Sequence, residues 1–533
     1  MRKRRELSLG TNAFLNGLRS ALTIIFPLIT YPYAFRVLHQ EMIGRVSYAQ
    51  TIIKYIGLIA TLGITDYAVR EGAKVRDDRR KVSELASEIF TLNLVSTAVA
   101  YLLLVLCLLA VKPWRSYAPL LWLLSLSMAF KTFGVDWVNN VFEDFLYITI
   151  RSAVCQVIML VLLFLLVRSE RDYYIYASLT VLSEGIVCVC NWLYCRRYVH
   201  LRPMPLPRVW KHFKSVMAFF ATTLTTTIYV YADVLMIGWI CGDGPVGLYG
   251  LATQVYISTK TLLASVYNVV IPRISLQMAR RDEAGVRRTY TDVFSNLTLL
   301  LLPAACGLIV VSREIVLLVG GSEYLPAVTS LQILSVAMIG AIYGGLVTYC
   351  LNIPAGRERW NVVATLISSC INVVLNVFLI PVWRQNGAAV TTVISEFFVF
   401  IFAVAIYPDF WRYLDRRRWL RSLLQALAGV ATIYIVNVAV RSAAAGRLVL
   451  GIAGSTSDGT LTTAGSALSE AGQTLAGTAS AASTNLLAGD SIRAVLIRLA
   501  LIIILSISCY AGELLLMHNE FAWGLVRKLR REE

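Results

Sequence analysis

The stretch LNLVSTAVAYLLLVLCLLAV, residues 92–111, contains no charged side chain over twenty consecutive positions. An α-helix rises about 1.5 Å per residue and the hydrocarbon core of a bilayer is about 30 Å thick, so about twenty apolar residues suffice for one crossing. The whole chain has this character, because 57% of its 533 residues are hydrophobic and only 15% are charged. Soluble domains carry roughly 25% charged residues. The sequence therefore predicts a polytopic membrane protein and excludes soluble enzymes and nucleic-acid-binding proteins.

Apolar runs of suitable length predict an all-α protein with about fourteen transmembrane helices. The runs cover residues 11–35, 42–62, 83–111, 117–135, 148–167, 174–194, 215–240, 246–271, 291–312, 327–353, 360–382, 388–407, 420–440 and 492–517. An even number of crossings places both termini on one side of the membrane. The segments on that side then hold 33 Lys and Arg residues, against nine in the opposite segments. Since basic residues concentrate in cytoplasmic loops, both termini are expected in the cytoplasm, and topology accounts for most of the net charge of +17.

Two segments at the start of predicted spans indicate an internal repeat. Residues 43–50 (IGRVSYAQ) resemble residues 246–254 (VGLYGLATQ), and 203 positions separate Gly44 from Gly247. Spans six apart run in the same direction, so the repeat is parallel, with its axis along the membrane normal. The predicted domains are a six-helix lobe at 1–195, a basic, proline-containing cytoplasmic linker at 196–214, a second, pseudo-symmetric six-helix lobe at 215–408, and a C-terminal helix pair at 409–533.

A low-complexity insertion at about 441–490 separates the last two predicted spans. Between Gly451 and Asp490, 29 of 40 residues are Ala, Gly, Ser or Thr, a composition that cannot bury a core. We expect it to be a flexible extracytoplasmic segment. The ten cysteines form no CxxC pair and no His lies at metal-ligand spacing, so we expect neither a metal site nor a cofactor.

Ionisable residues in the middle of apolar spans are the candidate functional groups. A charge at mid-bilayer costs about 2.5–3.5 kcal/mol on insertion scales, so it usually faces a cavity or a partner. Lys54 and Lys260 lie at the centres of the second and eighth spans, too deep for their side chains to reach the surface. They predict a central anion-binding cavity. The alternative is that each lysine pairs with a carboxylate and only holds helices together.

Four further ionisable residues belong to the same analysis. Arg19, about seven residues into the first span, either lines the cavity or reaches the membrane surface. Glu184 and Glu396 lie near mid-span, and Asp233 lies in the outer half of the seventh span. These acids are candidate cavity or coupling groups, with Asp233 as the first choice. Each could pair with a lysine or titrate during transport, and the sequence leaves the coupling ion, H⁺ or Na⁺, undecided.

Several short motifs together resemble a known family. They are residues 32–38 (PYAFRVL) with Ile43-Gly44, Gly63 with residues 66–70 (DYAVR), Tyr229 with Asp233 and Ile237-Gly238, and residues 246–249 (VGLY) through Ile271-Pro272. This pattern resembles the bacterial oligosaccharide and polysaccharide flippases, the Wzx-like branch of the multidrug/oligosaccharidyl-lipid/polysaccharide exporter superfamily. The likeness covers roughly the first twelve spans. His39, where these proteins often have glycine, and the insertion depart from the family pattern.

The resemblance implies two six-helix lobes around a central cleft, alternating access, and an undecaprenyl-pyrophosphate-linked oligosaccharide carried across the bacterial cytoplasmic membrane. It also implies that cationic residues on the first, second and eighth helices line the cavity and bind the pyrophosphate; Arg19, Lys54 and Lys260 occupy those positions. The expected partners are this lipid-linked substrate, membrane lipids and other polysaccharide assembly proteins, with the chain itself a monomer.

Three alternatives stay open. A lipid II flippase or a multidrug exporter of the same superfamily shares the architecture, although cationic drugs favour acids over paired central lysines. A polytopic glycosyltransferase or polysaccharide polymerase needs a carboxylate or His constellation at the outer surface, and no P-loop, HExxH or GxSxG motif is present. A structural scaffold would not need ionisable residues at mid-span. We therefore expect a transporter and no catalytic residues.

Overall fold

The computed structural model describes residues 9–455 and 492–517 together with residues 519 and 522. It describes side chains at residues 26–442, 495–517, 519 and 522. Within these ranges every regular element is a helix, which confirms the predicted all-α class. The helices are α1 (Leu9–Thr61), α2 (Ile64–Val75), α3 (Arg79–Ala110), α4 (Ala118–Gly134), α5 (Trp137–Val141), α6 (Phe145–Leu166), α7 (Tyr173–Cys195), α8 (Leu206–Val209), α9 (Phe213–Cys241), α10 (Asp243–Asn268), α11 (Ile271–Ala279), α12 (Glu283–Val319), α13 (Ala327–Val347), α14 (Glu358–Trp383), α15 (Gln385–Ile406), α16 (Phe410–Tyr413), α17 (Arg416–Ser455) and α18 (Ile492–Leu516).

Twelve helices in the described ranges are long and apolar enough to cross a membrane, against the fourteen spans predicted. Two differences account for the count. The first and second predicted spans are the two halves of α1. Its 53 residues correspond to about 80 Å of helix in total, which is more than one crossing needs. The predicted fourth span is α4, which at 17 residues falls just short of the usual length. Each apolar run thus corresponds to a helix or to half of one.

A single residue divides α1 into its two halves. His39 has φ 61° and ψ 170°, a region of backbone space that essentially only glycine enters without strain. The residue 203 positions later is Gly242, and its φ of 83° and ψ of −170° are nearly the same. The bend between α1's halves and the bend between α9 and α10 therefore share one conformation. His39 adopts in the first repeat what glycine adopts in the second.

The segments that follow the two repeated helices, residues 64–78 and 271–282, also fold alike. Each forms a short helix, α2 or α11, and an aspartate then begins the next long helix. Asp78 accepts hydrogen bonds from the backbone N–H groups of Lys81 and Arg80, and these bonds lower its pKa. Asp282 accepts one from the N–H of Gly285 at 2.9 Å. Such N-caps satisfy donors that the first turn of a helix leaves unpaired.

The described residues group into two compact units. One comprises the described parts of Met1–Gln254 with Arg359–Ser395, and the other those of Val255–Glu358 with Glu396–Glu533. The first has a core of α2, α3 and α5 side chains that includes Tyr67 and Ile89. In the second, Leu334 and Met338 of α13 are fully buried. This division differs from the lobes at 1–195 and 215–408, which remain a prediction.

The C-terminal region is described in part. Helix α17 continues beyond the predicted span end at residue 440 as far as Ser455. The remainder of the predicted flexible insertion, residues 456–490, lies outside the described residues.

Candidate functional site

A cavity of about 390 Å³, with both polar and apolar side chains in its wall, surrounds Lys54 inside the first unit. Side chains of α1, α4, α7 and α9 line it, and its hydroxyl and amide members include Gln50, Ser127, Thr180, Thr223 and Thr227. The Lys54 side chain is exposed, and its Nζ lies 4.2 Å from the centroid of the Tyr231 ring. Among the described residues Lys54 forms no ion pair with an acid. The ring quadrupole stabilises this cation without neutralising it, so its charge stays available to an anion.

An ion pair lines the same cavity. Lys131 Nζ on α4 lies 3.2 Å from Glu184 Oε1 on α7, and the two side chains are 56% and 36% exposed. The second carboxylate oxygen, Glu184 Oε2, is shielded from solvent and has no hydrogen-bond partner in the described part of the chain. Glu184 was a candidate acid from the sequence, whereas Lys131 was not a candidate, because it lies near the end of its span.

Lys260 has a different environment inside the second unit. Its Nζ lies 2.7 Å from Glu396 Oε1, and the Tyr256 hydroxyl donates to the same oxygen at 3.0 Å. Glu396 is nearly buried, with 7% of its side chain exposed, and Lys260 retains 31%. Two predicted site residues are thus brought together. This contact is the carboxylate pairing that the sequence analysis held as the alternative for both lysines.

Asp233 lies in a buried network of uncharged side chains inside the first unit. Its Oδ2 accepts from the Tyr249 hydroxyl at 2.6 Å and from the Thr392 hydroxyl at 2.9 Å, and its Oδ1 accepts from Asn376 Nδ2 at 2.7 Å. Asn376 in turn contacts Asn372 and Thr391. In the described ranges no basic side chain forms an ion pair with Asp233. The network is rich in oxygen atoms, and oxygen ligands suit a hard cation or a proton.

Some residues near the candidate groups are not predicted from sequence, because a single uncharged polar residue in an apolar helix is common. Asn372 and Asn376 are one helical turn apart on the same face of an apolar helix, and that spacing was an available signal. Tyr231 and Tyr256 carried no signal that separates them from interfacial tyrosines. Arg19 lies on α1, but its side chain is outside the described residues.

The repeated segments meet in a reciprocal glycine contact. A Cβ atom added to Gly44 would lie 1.8 Å from the carbonyl oxygen of Asp243, and one added to Gly247 would lie 1.9 Å from the carbonyl oxygen of Gln40. The offset of 203 residues relates both the glycines and their partners. This reciprocity is what the predicted repeat implies for its two equivalent segments. The helices are in direct backbone contact here, at the ends that the predicted topology turns outward.

These features define the class of the protein, a multi-pass helical membrane protein with ionisable groups inside its helix bundle. Its fold is that of known flippases and exporters. Lipid II flippase MurJ in an inward closed conformation matches 94% of this chain and 98% of its own, with a TM-score of 0.68 at 13% identity. An inward-facing MATE family multidrug resistance transporter of the MOP superfamily matches 76% and 98%, with a TM-score of 0.51 at 12% identity.

Sequence comparison gives the family. A putative O-antigen transporter of Escherichia coli is 22% identical over 405 residues, which are 73% of this chain and 94% of that protein. A probable low-salt glycan biosynthesis flippase of Haloferax volcanii is 28% identical over 235 residues, which are 44% of this chain and 48% of that protein. The family model described as polysaccharide biosynthesis protein matches residues 9–278, about half of the chain. The chain belongs to that family.

Proposed function

We propose that this protein is a flippase that moves an undecaprenyl-pyrophosphate-linked oligosaccharide, the repeat unit of a surface polysaccharide, across the bacterial cytoplasmic membrane. Lys54 is the observation that carries the proposal, because it is a mid-span cation with no acid partner among the described residues and lines a cavity. Such a charge is costly unless function requires it. The family and the names of the relatives support the same substrate class.

The chemistry of a diphosphate explains why cations are required. The diphosphate is the charged group common to all such lipid-linked glycans, whatever sugars follow it. It loses water on entering the cavity, and ammonium or guanidinium groups compensate for that loss. Lys54 meets it directly, and Arg19 is the further cation assigned to this role.

Lys260 takes part through exchange of partners. Its ammonium keeps 31% exposure while held by Glu396, so a phosphate oxygen can compete with the carboxylate for it. The lysine then neutralises the diphosphate in place of the Glu396 carboxylate.

Asp233 is the proposed coupling group. Its partners are hydroxyl and amide groups, which accommodate either a bound proton or Na⁺ in place of the present hydrogen bonds. Flipping into vesicles under imposed H⁺ or Na⁺ gradients, with Asp233→Asn as the variant, distinguishes the two ions. We expect the variant to lose the dependence on the gradient that drives the wild type.

The nearest alternative is a lipid II or multidrug exporter of the same superfamily. The uncompensated charge of Lys54 disfavours a cationic drug and is compatible with lipid II. A polytopic glycosyltransferase or polymerase has no observation in its favour in the described residues. Both termini in the cytoplasm, a monomeric state, and contact with membrane lipids and other assembly proteins complete the proposal.

The test is Lys54→Ala and Lys260→Ala, separately and together, in cells that depend on this protein for surface glycan. We expect loss of export and accumulation of the lipid-linked precursor on the cytoplasmic side. Lys54→Arg serves as the matched control, because it keeps the charge. Normal export by the folded double variant would disprove the proposed role of the lysines.

A further inference from the structure

Lys54 is only one of several polar side chains that line its cavity. The other polar groups of the wall come from four helices and are mostly hydroxyls. Thr180 and Thr223 donate their own hydroxyl protons to carbonyls of their helices, at 2.7 and 3.0 Å, which leaves their oxygen lone pairs as acceptors. Gln50 and the two lysines supply donors. A wall with both donors and acceptors suits a ligand whose hydroxyls do both, as sugar hydroxyls do.

Glu184 provides an unfilled acceptor in this wall. Lys131 contacts only Oε1, and Oε2 has no partner among the described residues although it is shielded from solvent. A buried acceptor without a donor is unfavourable, because it has lost its hydrogen bonds to water without gaining another. A ligand hydroxyl or amide N–H at Oε2 would remove that cost.

Lys131 completes a site with no net charge. Its ammonium offsets the Glu184 carboxylate and has two further N–H donors, since the ion pair uses one. Adjacent hydroxyls of a sugar ring could donate to Oε2 and accept from Lys131 at once. The cavity volume of about 390 Å³ lies within the roughly 300–1,000 Å³ range of small-molecule pockets and admits one or a few sugar rings.

We propose that Lys131 and Glu184 form a glycan subsite that binds a neutral sugar bearing hydroxyl or acetamido groups, next to the diphosphate held by Lys54. This inference rests on the proposed flippase function. The subsite selects among lipid-linked glycans, whereas Lys54 recognises the diphosphate that they share.

Two probes separate the subsite from the diphosphate site. One is the lipid-linked oligosaccharide extracted from cells of the native strain depleted of the protein, and the other is undecaprenyl pyrophosphate without sugar. Binding of each is measured to the full chain in nanodiscs by quenching of tryptophan fluorescence. We expect Glu184→Gln to weaken binding of the glycosylated lipid about tenfold or more, and to leave binding of the bare diphosphate lipid within about twofold.

Two further variants keep the test decisive. Thr180→Val removes one wall hydroxyl at constant shape and should weaken only the glycosylated lipid, by less than Glu184→Gln does. Glu143→Gln is the matched control, because Glu143 forms an ion pair with Arg76 at 2.7 Å and does not line the cavity. It should change neither binding constant.

The outcomes distinguish this inference from the proposed function. An equal loss for both lipids, or no loss for either, in Glu184→Gln overturns the glycan subsite. Lys54→Ala should weaken both lipids. If Lys54→Ala leaves the bare diphosphate lipid bound normally, the proposed diphosphate site fails, whatever the result for Glu184.

Discussion

The two mid-span lysines have similar positions in repeated helices and very different environments. Lys54 is exposed in a cavity and contacts the face of Tyr231. Lys260 is bound to a nearly buried carboxylate, Glu396. The charge of Lys54 is accessible from its cavity, whereas the charge of Lys260 is neutralised by a carboxylate. Position within a span therefore predicts that a cation is costly, but not how the protein offsets that cost.

The register of the repeat helps to explain the difference. Lys260 follows Lys54 by 206 residues, whereas the glycines are 203 apart, so Lys260 lies three residues further along its helix. Three residues are almost a full turn, which keeps the side chain on a similar face at another depth. Ile257 occupies the strictly equivalent position. The two lysines are therefore not at equivalent positions of the predicted repeat.

The largest expected effect is a difference in stability between variants of the two lysines. Lys260→Ala leaves Glu396 without its partner in a nearly buried position, and breaking such pairs costs about 3 kcal/mol, the low end of the usual range because Lys260 is partly exposed. Lys54→Ala removes no ion pair and should change the free energy of unfolding little. Thermal unfolding in one detergent measures both, and adding Glu396→Ala to Lys260→Ala should restore part of the loss. Equal destabilisation by the two single variants would contradict the comparison.

Substitution of the two contacting glycines should destabilise the protein equally, unlike substitution of the two lysines. Gly44→Ala and Gly247→Ala each drive a methyl group against a backbone carbonyl, and the forced backbone shift should cost about 2 kcal/mol in both repeats. The measurement is again the shift in unfolding midpoint. Gly250→Ala is the control, because no atom lies within 4 Å of its added Cβ. A large difference between Gly44 and Gly247 would mean that the asymmetry extends beyond the lysines.

The bend residues differ in identity but share a conformation, which predicts a gain in stability. His39→Gly relieves a strained backbone and should stabilise the protein by about 1 kcal/mol, after the entropy cost of glycine is subtracted. His39→Ala is the control, since it removes the imidazole but keeps the strain. Gly242→Ala should destabilise, although its Cβ would meet open space. If His39→Ala and His39→Gly have equal stability, backbone strain is not the cause.

The smallest effect concerns the aromatic neighbour of the free lysine. Tyr231→Leu removes the ring under Lys54 and should weaken binding of undecaprenyl pyrophosphate by about two- to fivefold, in line with roughly 0.5–1 kcal/mol for an exposed cation–π contact. Tyr231→Phe keeps the ring and should bind normally. Tyr256→Phe near Lys260 tests the opposite environment, because it removes a hydroxyl that donates to Glu396. A loss with Tyr231→Phe would assign the effect to the hydroxyl instead.

Sequence alone predicts the fold well because hydropathy acts over whole helices. All fourteen apolar runs lie on helices, and the segment that begins at Gly44 already indicates its counterpart at Gly247. The candidate site was predicted less completely. Lys54 and Asp233 are candidates from sequence because a charge in an apolar run is unusual, whereas the pairing of Lys260 with Glu396 depends on how distant helices pack. Ordinary polar residues such as Asn376 gain a role only from neighbours that the sequence does not reveal.

The close backbone contact at Gly44 and Gly247 determines which mutations these two positions tolerate. Every missense change of a glycine codon adds at least a Cβ atom, and a Cβ at either position would collide with a backbone carbonyl oxygen. We therefore expect no missense change at either codon to be neutral. A saturation mutagenesis library should therefore show that both columns, 203 positions apart, tolerate no substitution. Compensation at one column cannot come from the other, because each position meets main-chain atoms that substitution leaves in place.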